Sequence, residues 1–378
     1  MPDDLFYRVK VSAGGADYDL SPDLTSLSIE EDETRPDLLV VNLADPYKVF
    51  GHALQEGMDV EVELGTADDH SLVFRGRIHQ VDASFPAEGV PTLTFRAHDN
   101  AMRLGLRRRN RPWSDTSLSG LVRSIADEHG FPRTSVRLAG DPEFGGNGIR
   151  QQDETDLAFL HRLADAYGAE TYVSARDTGD EFIFLAQREI MTSDPEVTLY
   201  HGRCGVADCL LSFEARADVA EIQLPRVFAG VDYAEGEALE AVEAPVEEVG
   251  DQEDAFFDEN MTAFREREPE RAGQLQELLG AAPAAREQVV SDLGEVERVT
   301  VPAFTTAEEL RTRRENQFST SIHGMRASGA TGGNKNLRAQ TNVGLEDVGG
   351  RFSGVWFLTQ VRHVLDSGGY RTDFECRR

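Results

Sequence analysis

Short runs in which apolar and polar residues alternate fill the first hundred positions. Leu5-Phe6-Tyr7-Arg8-Val9-Lys10-Val11 alternates in part with a period of two, and Asp59-Val60-Glu61-Val62-Glu63-Leu64 does so cleanly. Leu24–Ile29, the nearly continuous apolar run Leu38–Leu43, Leu72–Ile78 and Thr92–Ala97 have strand length. Gly14-Gly15, Asp45-Pro46, Gly65, Pro86 and Gly89 supply turn chemistry between them. Several short strands at this spacing predict a small barrel or sandwich.

After residue 110 the period changes. Leu118, Leu121, Val122, Ile125 and Ala126 fall on one face of a helix, closed by Gly130 and Pro132. A second helix is predicted at about 154–167, with Leu157, Leu160, Leu163, Ala164 and Tyr167 as its apolar set. Asp153 or Thr155 can cap its start, and Gly168 closes it. Strands are expected at 170–174, 181–186 and 197–200, so this block reads as α+β. Strand signals resume at 210–213 and 219–224. From Val227 to Phe264 there is then no Lys or Arg, while twelve carboxylates lie between Asp232 and Glu259. Residues 258–295 favour helix. Val299–Phe304, Gly354–Thr359, Val361–Leu365 and Tyr370–Cys376 return to strand, and no repeat of fixed period is present.

The 378 residues allow roughly two to three domains at about 150 residues each. A net charge of −30 argues against nucleic-acid recognition and against docking on an anionic membrane. No apolar run is long enough for a membrane helix, and no secretory signal is visible, so synthesis in the cytoplasm is expected. Only Lys10, Lys48 and Lys335 are lysines; the other basic residues are arginines. Arg-rich codon usage or a salt-adapted surface accounts for this equally well.

Candidate chemistry is sparse. Three cysteines, Cys204, Cys209 and Cys376, make no disulfide framework, and a reducing compartment fits. His201, Cys204 and Cys209 form the one cluster with soft ligands, but zinc needs a fourth ligand and usually a tighter knuckle, so two small buried or turn cysteines are the simpler reading. Gly329–Asn336 lacks the Gly-Lys-Ser/Thr of a phosphate loop and reads as a turn. Arg107-Arg108-Arg109-Asn110-Arg111 is a basic cluster in an acidic chain. It reads as a salt-bridged inter-domain segment or as a patch meeting an acidic neighbour subunit, rather than as a nucleic-acid site. The acidic stretch 232–259 reads as a solvated insertion. No catalytic, cofactor or metal residue stands out, so a non-enzymatic, mostly-β protein is expected, without cofactors.

Three segments together carry a family resemblance. They are Val73–Ile78 with Pro91–Asp99 and Leu104; Gln151–Gly168; and Phe352–His363 with Gly369–Glu375. In order and spacing they resemble the phage late control protein D family. These are the baseplate hub proteins of contractile tails and injection systems, including the hub part of valine-glycine repeat spike proteins. The match is poorest over about 232–300. The resemblance implies a mainly β fold with an α+β insertion and two small related β-barrels per chain. Barrel one would be 1–108, the α+β insertion 109–205, barrel two 206–231 plus 299–378, and the acidic, partly helical insertion 232–298. It further implies a homotrimer whose six barrels present pseudo-sixfold symmetry to a tail tube and threefold symmetry to a separate trimeric spike, beside other baseplate proteins at the baseplate centre. An anionic lumen that repels DNA or acidic cargo is a second account of the acidity. Two rivals remain: a tail-associated peptidoglycan hydrolase, and a carbohydrate-binding β-module that would use Trp113 or Trp356 as a platform, although both sit beside apolar patterning that suits core packing.

Overall fold

In the computed structural model the chain begins with β1 (Leu5–Ala13), β2 (Ala16–Asp19), β3 (Leu24–Asp32), β4 (Leu38–Ala44), α1 (Phe50–Ala53), β5 (Asp59–Thr66), β6 (His70–Ser84) and β7 (Thr92–Asp99). A mixed block follows: α2 (Met102–Gly105), β8 (Arg108–Trp113), β9 (Thr116–Ser117), α3 (Leu118–Glu128), β10 (Arg133–Arg137), β11 (Glu143–Phe144), β12 (Ile149–Thr155), α4 (Asp156–Tyr167), β13 (Ala169–Ser174), β14 (Glu181–Ala186) and α5 (Gln187–Met191). Next come β15 (Val197–Tyr200), β16 (Leu210–Ala217), β17 (Arg226–Asp232), β18 (Glu237–Val242), α6 (Ala255–Arg267), α7 (Pro269–Leu293), β19 (Glu297–Thr300) and α8 (Ala307–Asn316). The chain ends with β20 (Met325–Gly332), β21 (Asn342–Glu346), β22 (Gly354–Asp366) and β23 (Gly369–Arg377). The structure describes residues 5–145, 148–176, 178–202, 208–219, 226–232, 237–242, 255–293, 297–300, 307–316 and 324–378.

The fold is mainly β. One 13-stranded sheet runs β16-β20-β23-β22-β3-β4-β7-β6-β5-β1-β2, with β21 branching from β22 and β15 from β21. β22 is the seam between the N-terminal and C-terminal strands. Its first residues, Gly354–Phe357, pair with β21, and Gln360–Leu365 pair antiparallel with Leu27–Asp32 of β3. A bridge between Tyr200 and Cys209 brings β15 back beside the start of β16. The C-terminal strands thus follow one another round and return to the first.

The period-two pattern explains which residues are inside. In β4, Leu39, Val41 and Leu43 are buried while their neighbours are half-buried; in β5 the inward set is Val60, Val62 and Leu64. These pack with Val9, Ile29, Phe74 and Phe95, and Leu365 of β22 completes the same core across the seam. A separate core around Trp356, Leu358, Val361 and Phe374 fills the C-terminal strands. The mixed block has its own core, built from the predicted apolar faces of α3 and α4 with Phe182 and Phe184.

Local chemistry sets the helix ends. Ser117 Oγ accepts from Gly120 N at 3.1 Å at the start of α3. At α4 the cap is Thr155, not Asp153: its Oγ1 accepts from Ala158 N at 3.2 Å, and Gly168 closes the helix at φ 62°. Thr155→Ala should cost about 1 kcal/mol of stability in chemical denaturation. The helix expected over 258–295 is two helices, α6 and α7, because Pro269 cannot donate an amide and takes the first position of the second. The strand expected over 219–224 lies almost wholly outside the described residues, as does most of Val299–Phe304 beyond the end of β19.

One helix carries no sequence signal. The polar α8 packs on the mixed block, with Leu310, Thr312, Arg313 and Asn316 buried. Its anchors are specific: Asn316 Oδ1 accepts from Ala139 N at 2.6 Å, Glu309 accepts from the Tyr167 hydroxyl at 2.6 Å, and Arg188 Nε donates to Glu315 O at 2.9 Å. Burial and the adjacent Glu309 carboxylate raise the Tyr167 phenol well above its usual range.

Candidate functional site

The basic cluster singled out in the sequence is largely consumed within the chain. β8 pairs antiparallel with β12, which sets Arg109 and Arg111 facing the start of α4. There Asp156, 1 % exposed, receives Arg109 Nε at 3.1 Å, Arg111 Nη2 at 3.2 Å and His129 Nε2 at 2.7 Å. Glu128 takes Arg109 Nη1 at 2.7 Å and Arg111 Nη1 at 2.8 Å. The Arg111 guanidinium also lies 4.3 Å from the Trp113 ring centre. Arg109 and Arg111 are salt-bridged as expected, but their partners Glu128 and Asp156 lie in the same mixed block, so the segment does not join two domains. Arg107 and Arg108 are exposed, and Arg108 reaches the Asp153 carbonyl at 2.7 Å.

The other candidates fall in structural roles. Gly329–Gly332 is the second half of β20 rather than a loop. A Cβ at Gly329 would meet the Phe374 ring at 2.5 Å, and one at Gly333 would meet the Tyr370 ring at 1.9 Å. These glycines let aromatic rings lie against the backbone. Gly333→Ala should therefore be destabilising, read as a lower thermal midpoint with Tyr370→Ala as partial rescue. Lys335 pairs with Asp69 at 2.7 Å. Trp356 is buried and donates from Nε1 to Phe352 O at 2.9 Å, so it is a core residue and no platform. His201 is exposed, Cys209 is disulfide-bonded in place of the unlinked cysteine expected, and Cys376 is free and buried. Cys204 and much of the acidic stretch, 233–236 and 243–254, lie outside the described residues.

What the fold does present is a sheet with two ends. One end is β2, all four of whose residues are exposed. At the other end of the strand order β16 has β15 bridged beside its start, and past that bridge the ladder to β20 slips between Leu210 and Ser212 and Leu211 stands 63 % exposed. Near the β2 end, exposed Tyr18 meets Phe50 edge-on, and Lys48 lies over exposed Phe85. Tyr47, Val49 and Val90 are also exposed. Exposed apolar side chains thus gather near β2 in a protein otherwise strongly charged. Among the described residues, no helix is long and apolar enough to cross a membrane.

Charged contacts tie the parts into one body. Glu31 of β3 is buried and binds Arg338 Nε at 2.6 Å and Ala339 N at 2.9 Å, so the loop after β20 is fastened to the N-terminal strands. Arg75 of β6 bridges Glu61 at 2.8 Å and Asp180 of the mixed block at 3.2 Å. Asn100 donates to the same Asp180 at 2.5 Å.

The family model for the phage tail baseplate hub (GPD) matches residues 41–368, from β4 through β22 and into the turn that follows it. The chain belongs to this baseplate hub family. A search of curated proteins found no match. Among solved structures, the hub is similar to a tail protein from Neisseria meningitidis (TM-score 0.62, 14 % identity, covering 98 % of this chain and 96 % of that one). It is equally similar to the 43 kDa tail protein of prophage MuSo2 from Shewanella oneidensis (TM-score 0.62, 14 % identity, 99 % and 98 %). A component of the Escherichia coli type VI secretion system, itself described as structurally similar to T4 tail proteins gp27 and gp5, also matches (TM-score 0.58, 12 % identity, 97 % and 76 %). At these identities the likeness speaks to the fold, and it runs the length of the hub, mixed block included. The resemblance expected from the three sequence segments is therefore correct, as is the mainly β fold class.

Proposed function

We propose that this baseplate hub works as a homotrimeric adaptor between a tail tube and a separate trimeric spike, with a mechanical rather than a catalytic role. The observation that carries the reading is the sheet itself. Two sets of strands, each around its own core, are joined edge to edge through β22 and β3. Read as two barrels per chain, three copies place six similar units around a threefold axis. A sixfold tube and a threefold spike can then be served by the same ring.

In this reading the open ends of the sheet meet between copies: β2 of one chain lies against β16 of the next. Such head-to-tail contacts close only if the rotation between copies is one third of a turn. Leu211→Lys and Tyr18→Lys put a charge on each edge. Light scattering of the wild type should give three times the 41.7 kDa chain mass. Each variant should weaken assembly by about tenfold or more while leaving circular dichroism unchanged, an effect of more than 1 kcal/mol. Wild-type assembly in both variants would contradict this arrangement. A cell-wall zymogram should show no clearing; clearing by the purified chain would revive the hydrolase reading.

A further inference from the structure

Where the turn between β3 and β4, the end of β7, the edge of β13 and the loop after β20 converge, they leave a cavity of about 120 Å³. Asp37, Asp99 and Thr171 line it, with Glu31 and Arg338. The charges around it do not balance. Arg35, Arg176 and Glu196 also face it; Arg338 is paired with Glu31, Arg35 with Asp32, Arg377 with Glu33 and Arg176 with Glu181, while no ion pair reaches Asp37 or Asp99 among the described residues. These two are adjacent: Asp99 N donates to Asp37 O at 3.1 Å, and His98 Nδ1 meets the same carbonyl at 3.1 Å.

Two polar atoms on this lining have no protein partner. Asp99 Oδ1 belongs to a residue 7 % exposed, and Thr171 Oγ1 to one 4 % exposed. They come from different elements, β7 and β13. Buried oxygens without donors call for a hydrogen-bonding or coordinating guest. A guest facing two carboxylates and a hydroxyl is a cation. No group of three His, Cys, Asp or Glu side chains forms a metal cage among the described residues. An ion here would therefore keep several of its waters and use only one or two carboxylates.

We propose that this cavity binds one hydrated divalent cation of the magnesium type through Asp37, Asp99 and Thr171, neutralising the unpaired carboxylates where three parts of the hub meet. Without the ion, a proton does the same work: burial first, with Asp180 and Glu31 nearby, lifts Asp99 to about 8. Burial and Asp99 likewise hold Asp37 well above the carboxylate range.

The test is Mn²⁺ binding to the full chain by electron paramagnetic resonance at pH 8.5, after chelation. High monovalent salt is included to suppress loose binding by surface carboxylates. The wild type should hold one tight ion, with a higher thermal midpoint than in salt of matched ionic strength. Asp99→Asn, which keeps the shape and removes one charge, should weaken that site at least tenfold and abolish the midpoint shift, and Thr171→Val should weaken it several-fold. Equal tight binding and an equal midpoint shift in wild type and Asp99→Asn would overturn the proposal, as would the absence of a tight ion in the wild type.

Discussion

Replacing Asp156 with alanine should lower the unfolding free energy of the mixed block by about 3–5 kcal/mol, one of the largest effects any single exposed-to-buried charge pair in the hub can show. The carboxylate is almost fully buried and is the shared partner of Arg109, Arg111 and His129. It also accepts from Gln151 Nε2 at 2.9 Å. Taking it away leaves two guanidinium groups facing one another, with Glu128 as their remaining carboxylate and Gln151 Oε1 accepting from Arg111 Nε at 3.1 Å. Glu128 sits at the last turn of α3 and is more than a third exposed, so its screening contribution is modest. Urea denaturation followed at Trp113, which lies under Arg111, reads the loss directly. Arg111→Met in the Asp156→Ala background should recover part of it, because the uncompensated charge goes with the arginine. A loss below 1 kcal/mol would mean that the cluster is solvated and free for a partner after all.

The second large effect concerns pH. In chelator, stability should fall as pH rises from about 4 to about 8, and Asp99→Asn should flatten that fall. The sign follows from the displacement of Asp99 above its ordinary value, to about 8. The folded state holds the proton over a window in which the unfolded chain has released it. The stabilisation is complete below the unfolded value and is lost as pH climbs through the folded one. Asparagine has no proton to lose. At pH 9 the variant should be clearly the more stable of the two, read as a higher thermal midpoint. Carboxylates held low by arginines, such as Asp32 beside Arg35, act in the opposite sense, so the difference between variant and wild type is the readout. Parallel stability curves would show that Asp99 ionises freely in the fold.

The strands and the two helices of the mixed block were legible because local periodicity and burial agree there. Val60, Val62 and Leu64 alternate and are buried; Leu118, Leu121, Val122 and Ile125 line one helix face and are buried. α8 was not legible, because Thr312, Arg313 and Asn316 are buried by partners far along the chain, including Ala139 and Tyr167. The role of Gly333 was hidden for the same reason: the ring that requires a glycine there is Tyr370. The cation cavity gathers Asp37, Asp99 and Thr171 from three segments, and no spacing in the sequence announces it. The family was legible through three segments, which lie in β6 and β7, in the mixed block, and in β22 and β23. That β2 and β16 stand at the two ends of the strand order is shown only by the pairing and not by any local pattern.

The central claim is that this hub closes into a ring. Electron-microscope class averages of the purified chain, at low and high salt and with the proposed trimeric spike added, test it most directly. A threefold ring with about six lobes and a central opening is the predicted result. Monomers or open-ended chains under all of these conditions would contradict it.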